Sequence, residues 1–311
     1  MTSPRLTVGI TTRNRPEAFR RCLASLTALS DLCPEVIVFD DASTPAVADQ
    51  IGSWTLRPAV RTIRDDGAPG YIAGRNRLVQ EAGAPVVLLM DDDAAVLEGE
   101  AIRGALQLLE ADASVGAIAF AQCDAAGKPW QEGMQPARSQ MACRVPAFIG
   151  FAHLVKRDVF QTIGGYRETF EFYGEEKDFC LRLIDAGYQT IYLPDALVIH
   201  EPDRAGRSQQ RYLRYVTRND CLTALYNEPF TRLTWLLPAR FALYFRMRRD
   251  WQIRDPLGWL WILRELAGHA NTVIRDRAPV SRDTIATWKR LRESPEPYVR
   301  QPLEPLEPLE P

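Results

Sequence analysis

Over the first 120 residues, short apolar runs alternate with amphipathic stretches, the rhythm of βα units feeding a mostly parallel, buried sheet. Runs rich in Val, Ile or Leu predict strands at Leu6–Thr11, Val36–Phe39, Val60–Ile63 and Val86–Met90, each apolar enough to be covered on both faces. Between the first two, Phe19, Cys22, Leu23 and Leu26 fall at helical spacing within Pro16–Leu29, with Pro16 in the first turn and Asn14 as the expected cap. The helical pattern recurs over Ile72–Ala82, after a Gly-rich turn, and over Glu100–Ala111, which leads into a fifth strand at Val115–Phe120.

From Ala121 to Arg144 the periodicity is broken by Gly127, Pro129, Gly133 and Pro136, which predicts an irregular excursion or small hairpin of the kind that can cover a site. Order returns with Phe148–Val155, Asp158–Ile163, a turn at Gly164 and Gly165, and a helix over Glu175–Ala186 closed by Gly187. Thr190–Leu193 and Leu197–His200 read as two further short strands. Beyond Arg207 the pattern is helical to about Arg292, with Trp235, Trp251, Trp259, Trp261 and Trp288 among many arginines. Two readings fit this region: a bundle packed on the main domain with solvated arginines, or interfacial helices whose Trp and Leu meet a membrane surface. The Leu-Glu-Pro repeat of Gln301–Pro311 is expected to stay extended and mobile. The expected organisation is a domain over 1–207, a helical region over 208–295 and a tail over 296–311.

Composition narrows the partners. With 38 basic against 40 acidic residues, the net charge of −2 offers no field that would gather nucleic acid. No run reaches about 18 apolar residues and Met1–Gly9 lacks a basic segment followed by a long apolar one, so neither a spanning helix nor a signal peptide is expected. The expected location is the cytoplasm, with peripheral contact at the inner face of the membrane as the alternative. Six cysteines (Cys22, Cys33, Cys123, Cys143, Cys180, Cys221) never reach a C-x-x-C spacing, so free thiols are expected rather than a zinc site or a disulfide framework.

The most informative chemistry is Asp91, Asp92 and Asp93 directly after the apolar run Val86–Met90. Three carboxylates at the C-terminal end of a buried strand stand where open α/β sheets bind ligands, and their mutual repulsion invites Mg²⁺ or Mn²⁺. Asp40 and Asp41 close the second strand in the same way and can accept hydrogen bonds from a base or ribose, or simply form a turn. Gly67–Asn76 offers backbone amides and Arg75 for phosphate or base contacts, but matches neither a dinucleotide fingerprint nor a P-loop. Glu175, Glu176 and Asp178 open a helix, where carboxylates serve either as dipole partners or, for Glu176, as a general base. His200, one of three histidines, ends a strand; it is either structural or an additional ligand for Mn²⁺.

Taken in order, Val8-Gly-Ile-Thr-Thr-Arg-Asn-Arg15, Val36-Ile-Val-Phe-Asp-Asp-Ala-Ser43, Gly74-Arg-Asn76, Leu89-Met-Asp-Asp-Asp93, Gly164-Gly-Tyr-Arg-Glu168, Tyr173-Gly-Glu-Glu-Lys-Asp178 and Leu193-Pro-Asp-Ala through His200 resemble the family 2 inverting glycosyltransferases. The resemblance covers roughly residues 5 to 205. It implies a GT-A fold, a Rossmann-like, mostly parallel mixed α/β sheet flanked by helices, here followed by a helical C-terminal region. It further implies an enzyme moving a hexosyl or deoxyhexosyl group from a UDP-, dTDP- or GDP-linked donor to a saccharide, lipid-linked or other hydroxyl acceptor in glycan, polysaccharide or glycolipid assembly. Thr11, Arg13, Asp41, Arg75, Asp91 and Asp92 would meet the donor. Asp93 and His200, with Asp91 as an additional candidate, would hold the cation. Glu176 would be the base, with Glu175 and Asp178 as alternates. Two departures stand out: Arg167 replaces the usual aspartate after the Gly-Gly-aromatic turn, and Glu176 stands where aspartate is commoner.

Two other readings compete. A sugar-nucleotide pyrophosphorylase needs a long Gly-rich N-terminal loop with a lysine, whereas Leu6–Pro16 holds one glycine and no lysine. A non-catalytic nucleotide-sugar-binding or scaffold protein of the same fold would have no use for Asp91, Asp93, Glu176 and His200 together. Oligomeric state is left open.

Overall fold

The computed structural model describes residues 4–32, 34–52, 54, 59–202 and 208–299. The chain runs β1 (Leu6–Thr12), α1 (Pro16–Ser25), β2 (Glu35–Asp40), α2 (Val47–Ile51), β3 (Val60–Arg64), α3 (Tyr71–Glu81), β4 (Val86–Asp91), β5 (Ala94–Val96), α4 (Gly99–Ala111) and β6 (Val115–Cys123). There follow β7 (Cys143–Val145), β8 (Ala152–Lys156), α5 (Arg157–Thr162), α6 (Glu175–Asp185) and β9 (Gln189–His200). The C-terminal part is α7 (Gln209–Asn227), α8 (Phe230–Asp250), α9 (Gly258–Gly268), α10 (Ala270–Asp276), α11 (Arg282–Glu293) and β10 (Glu296–Pro297).

The strands form one mixed sheet in the order β10-β7-β9-β6-β8-β4-β1-β2-β3, with β5 paired to the end of β9. The half β3-β2-β1-β4 is parallel, and β8 enters antiparallel between β4 and β6. Alternation puts Val8, Ile10, Val36, Val38, Leu88 and Met90 into a core under α1 and α4, while Ile37, Phe39, Val87 and Leu89 face the core under α3, α5 and α6. β1 is flanked by β2 on one side and β4 on the other, so connections leave it in opposite directions. A crevice opens at such a switch point, at the carboxyl ends of these strands.

Several expectations are corrected. β3 lies at the sheet edge, with no strand on its far side among the described residues, and is only half-buried. Asn14 does not cap α1: it has a positive φ, and its side-chain oxygen accepts from the Thr44 N–H at 2.7 Å, pinning the end of β1 to the turn after β2. The two short strands expected before His200 are one, β9, whose register against β6 slips between Leu193 and Leu197, so that residues 194–196 bulge without ending the strand. The expected tail begins as structure: Glu296 and Pro297 pair with β7, and the Tyr298 hydroxyl donates to Asp112. Residues 301–311 and the boundary at 203–207 lie outside the described residues, as does Cys33; the other five cysteines are buried free thiols.

The helical region packs on the sheet domain. α7 buries Leu222 and Tyr226 in the core beside α6, and α11 covers Leu181 of α6 with Ile285. α8 and α9 both lie on α7, sharing a cluster of Leu213, Tyr244 and Ile262.

Candidate active site

A cavity of about 470 Å³ opens at the switch point, bounded by the ends of β1, β2, β4 and β9, the start of α3, residues 149–151, residues 171–173, Glu176 and Arg211 of α7. A second cavity of equal volume opens at the opposite end of β4 and lacks this convergence of carboxylates. Register brings Thr11 of β1 beside Asp91 of β4, and the antiparallel pair Ala94–His200 brings Asp93 beside the end of β9, where the Glu201 N–H donates to the Asp93 carbonyl at 2.9 Å.

The three aspartates are held differently. Asp91 accepts from Arg75 at 2.6 Å and stays partly exposed. Asp92 turns inward, accepting from Thr12 Oγ1 at 2.8 Å and Arg15 at 2.9 Å; burial, opposed by Arg15 and Thr12, pushes its carboxyl up to about 6. Asp93 Oδ2 accepts from the same Arg15 nitrogen at 2.9 Å, whereas its buried Oδ1 has no hydrogen-bond partner among the described residues and lies 3.6 Å from His200 Nε2. His200 is stacked against Trp130 and Phe151, at ring separations of 5.3 and 4.8 Å, so the 121–144 excursion reaches the site through Trp130 without lining the cavity. The Gln122 amide nitrogen donates to the Met134 carbonyl, which leaves Gln122 Oε1 to accept from His200 Nδ1 at 2.5 Å. That bond turns Nε2 toward Asp93 Oδ1. A carboxylate beside an imidazole is a donor set that fits Mn²⁺ or Mg²⁺, which complete their shell with water and phosphate oxygens.

Arg75, expected at the donor, does line the cavity and is at the same time a buried strut. It joins Asp91 to Glu175 Oε1 at 2.8 Å and donates to the Gly150 carbonyl at 2.8 Å, with its guanidinium 4.7 Å from the Tyr71 ring centre. Glu175 is fully buried, held by Arg75 and Tyr71, and burial together with the Glu176 charge drives its carboxyl well above the usual range against Arg75. Asp178 is bound by Arg167, Arg182 and Asn227, away from the cavity. The replacement of aspartate by Arg167 therefore has a local partner in Asp178. Of the three candidate bases only Glu176 lines the cavity, where burial raises its carboxyl and Arg75 opposes the rise. Gly174, left-handed at φ 84°, starts α6, and Gly150 leaves the space into which Glu176 Oε1 fits, since a Cβ there would lie 2.4 Å from that oxygen.

Asp41 accepts from the Gly70 N–H at 2.9 Å and lies 3.5 Å from Arg13; both line the cavity with Thr11. Sequence reasoning gave no role to Arg15, Tyr71, residues 171–173 or Arg211. Arg15 stands inside the quoted first motif, Tyr71 inside the Gly67–Asn76 stretch, and Tyr173 opens the motif that holds Glu176. The placing of residues 171–173 could not be found by spacing, because Asn219 of α7 sets it: its amide donates to the carbonyls of Phe170, Phe172 and Tyr173 at 2.9, 2.8 and 2.6 Å. That clamp holds Glu171 and Tyr173 at positive φ immediately before the Glu175–Glu176 pair. A further acidic and histidine group, Glu171, Glu265 and His269, surrounds Arg218, whose guanidinium lies 3.4 and 3.5 Å from the two glutamates and offsets one of their two charges.

A mixed sheet with its carboxylates at this switch point is the architecture of the nucleotide-binding GT-A glycosyltransferases. The family model described as glycosyl transferase family 2 matches residues 7–164, and that of glycosyl transferase family group 2 matches residues 86–263. This chain belongs to glycosyl transferase family 2. It is 27% identical over 212 residues to the pre-mycofactocin glycosyltransferase of Mycobacterium tuberculosis, covering 63% of this chain and 42% of that protein. It is 28% identical over 123 residues to the N-acetylglucosaminyl-diphospho-decaprenol L-rhamnosyltransferase of the same organism, covering 37% of this chain and 39% of that protein. The chain thus spans less than half the length of these curated relatives. Among solved structures it resembles the mannosyltransferase PcManGT from Pyrobaculum calidifontis in complex with GDP-Man and Mn²⁺, with a TM-score of 0.55 and 18% identity over 94% of this chain and 84% of that one.

Proposed function

We propose that this protein transfers a hexosyl or deoxyhexosyl group from a UDP-, dTDP- or GDP-linked donor to an acceptor hydroxyl, in one inverting displacement that requires Mg²⁺ or Mn²⁺. The observation that carries the reading is that Glu176 opens onto the same cavity as Asp93 and His200. Thr11, Arg13 and Asp41 border the end expected to take the nucleotide. A cation held by Asp93 and His200 would neutralise the charge developing on the departing nucleoside diphosphate.

In the displacement, the acceptor oxygen forms a bond to the anomeric carbon while the bond from that carbon to the diphosphate oxygen breaks, and the acceptor proton passes to Glu176. A carboxyl raised by burial suits proton uptake near neutrality. The fixed neighbours matter as much: Arg75 keeps Glu175 and Asp91 apart from the reacting proton, and Arg15 keeps Asp92 and Asp93 aligned. No second carboxylate is called upon as a nucleophile, since a single displacement forms no glycosyl-enzyme. We take the acceptor to be lipid-linked, in line with the decaprenol substrate named for the rhamnosyltransferase relative.

The test is Glu176→Gln in a transfer assay with Mn²⁺ and a panel of donors. Transfer is expected to fall by about 10²–10⁴-fold, the usual size of a general-base contribution, with donor affinity retained. Undiminished transfer would remove Glu176 from the mechanism, and donor binding without transfer in the unsubstituted chain would leave a donor-binding scaffold.

A further inference from the structure

We propose that the outward faces of α8 and α9 dock this protein on an anionic lipid bilayer. The inference deepens the lipid-linked acceptor reading and rests on it only for the direction from which acceptor arrives. α8 buries Leu233, Leu236 and Tyr244, and α9 buries Ile262, leaving their other faces unpartnered among the described residues. On α8 that face carries Trp235, Pro238, Ala242, Leu243 and Phe245, with Trp235 and Phe245 exposed by 51% and 42%. Leu257 just before α9, with Leu260 and Leu263 on it, are exposed by 63%, 44% and 45%. Apolar side chains of this size at helical spacing, turned outward, are the mark of a helix lying in an interface.

Charge identifies the occupant. Residues 208–299 hold sixteen arginines and lysines against nine aspartates and glutamates, although the whole chain has 38 against 40. Arg246 and Arg249 follow the apolar stripe of α8, both paired with Asp250, while exposed Arg254 and Arg264 form no ion pair among the described residues. A second copy of this chain is disfavoured as the occupant, since a twofold interface would bring a basic face against itself. The helices lie on the surface rather than across it: no helix of the described residues is long and apolar enough to span a membrane.

The face is also continuous with the candidate active site. Phe172 and Tyr173, which line the cavity, are followed by Tyr212 and then Trp251 at the end of α8, with ring separations of 3.9, 5.0 and 6.1 Å. An amphiphilic acceptor anchored in the bilayer would find this aromatic row between the membrane and Glu176.

The experiment is co-sedimentation of the full chain with vesicles of phosphatidylcholine alone and with about one third phosphatidylglycerol. Binding is expected with the anionic vesicles, weakened by salt, abolished by Trp235→Ser with Phe245→Ser, and reduced about fivefold per arginine by Arg246→Ser and Arg249→Ser. Melting temperatures of the variants, expected unchanged because these side chains are exposed, separate lost docking from lost folding. Failure to bind anionic vesicles overturns the proposal. So does equal, salt-insensitive binding to both vesicles, or a dimer in light scattering that the Trp235 and Phe245 substitutions dissociate. The Mn²⁺-dependent stabilisation by donor, read on the same samples, tests the transferase reading separately.

Discussion

Arg75 ties two carboxylates of the candidate site together from the floor of the cavity. Its guanidinium is the shared counter-ion of Asp91 and of the buried Glu175. Removing one partner of a buried pair leaves an uncompensated charge, so Arg75→Met is expected to cost about 3–5 kcal/mol in urea denaturation. Glu175 and Glu176, adjacent in sequence, separate under substitution for the same reason. Glu175→Gln should lower the melting temperature and spare part of the transfer activity, whereas Glu176→Gln should do the reverse. Equal effects on both quantities would show that the two carboxylates act as one unit. These roles follow from burial and facing direction, which neighbouring positions at a helix start do not announce in sequence.

At the scale of elements, α7 decides the shape of the loop that precedes Glu176, the proposed base. Replacing Asn219 with Ala removes the donor to three carbonyls, and the positive φ of Glu171 and Tyr173 loses its support. The expected outcome is a fall in kcat of about tenfold or more with donor affinity unchanged, since a misplaced catalytic group costs rate before binding. A comparable loss of donor affinity would point instead to a collapse of the cavity. The α7, α8 and α9 packing has its own polar node in Asp255. Burial alone would raise that carboxyl, but hydrogen bonds from Arg214, Gln210 and Tyr244 outweigh it and hold it down to about 2. Its folded value lies below the unfolded one, so the stabilisation is present above about pH 4 and is lost as pH falls toward 2, by about 2–3 kcal/mol in all. Acid titration followed by tryptophan fluorescence should show this loss, and Asp255→Asn should remove that part of the pH dependence.

The whole molecule supplies what no element holds alone. Asp93 follows β4 and His200 ends β9, and only the short β5–β9 ladder joins them. If the facing atoms Asp93 Oδ1 and His200 Nε2 form the cation site, Asp93→Ala should abolish the rise in melting temperature that Mn²⁺ adds to a bound donor, and chelation should do the same to the unsubstituted chain. Persistence of the metal-dependent rise in Asp93→Ala would move the cation elsewhere.

Much was legible in one dimension because it is local. Apolar runs fix strands through a period of two, amphipathic stretches fix α1, α3, α4 and α6, and the ordered motifs around Asp41, Asp91–Asp93, Glu176 and His200 carried the family. The sequence by itself singled out Thr11, Arg13, Asp41, Arg75, Asp91–Asp93, Glu176 and His200 of the cavity wall, while Arg15, Tyr71, residues 171–173 and Arg211 joined it only through the fold. Tertiary structure decided how each is held: Arg75 was tied to Asp91 and the buried Glu175, Asp92 to Thr12 and Arg15, and Asp178 to Arg167 and Arg182 away from the cavity, while Glu176 was left facing it. The irregular strand β9 and the clamp from Asn219 were illegible because a bulge depends on the register of β6 and a side-chain amide carries no mark of the carbonyls it will meet. Spacing along a chain sets what is near in sequence, while burial and long-range pairing, which set protonation, direction and reach, exist only once the chain is folded.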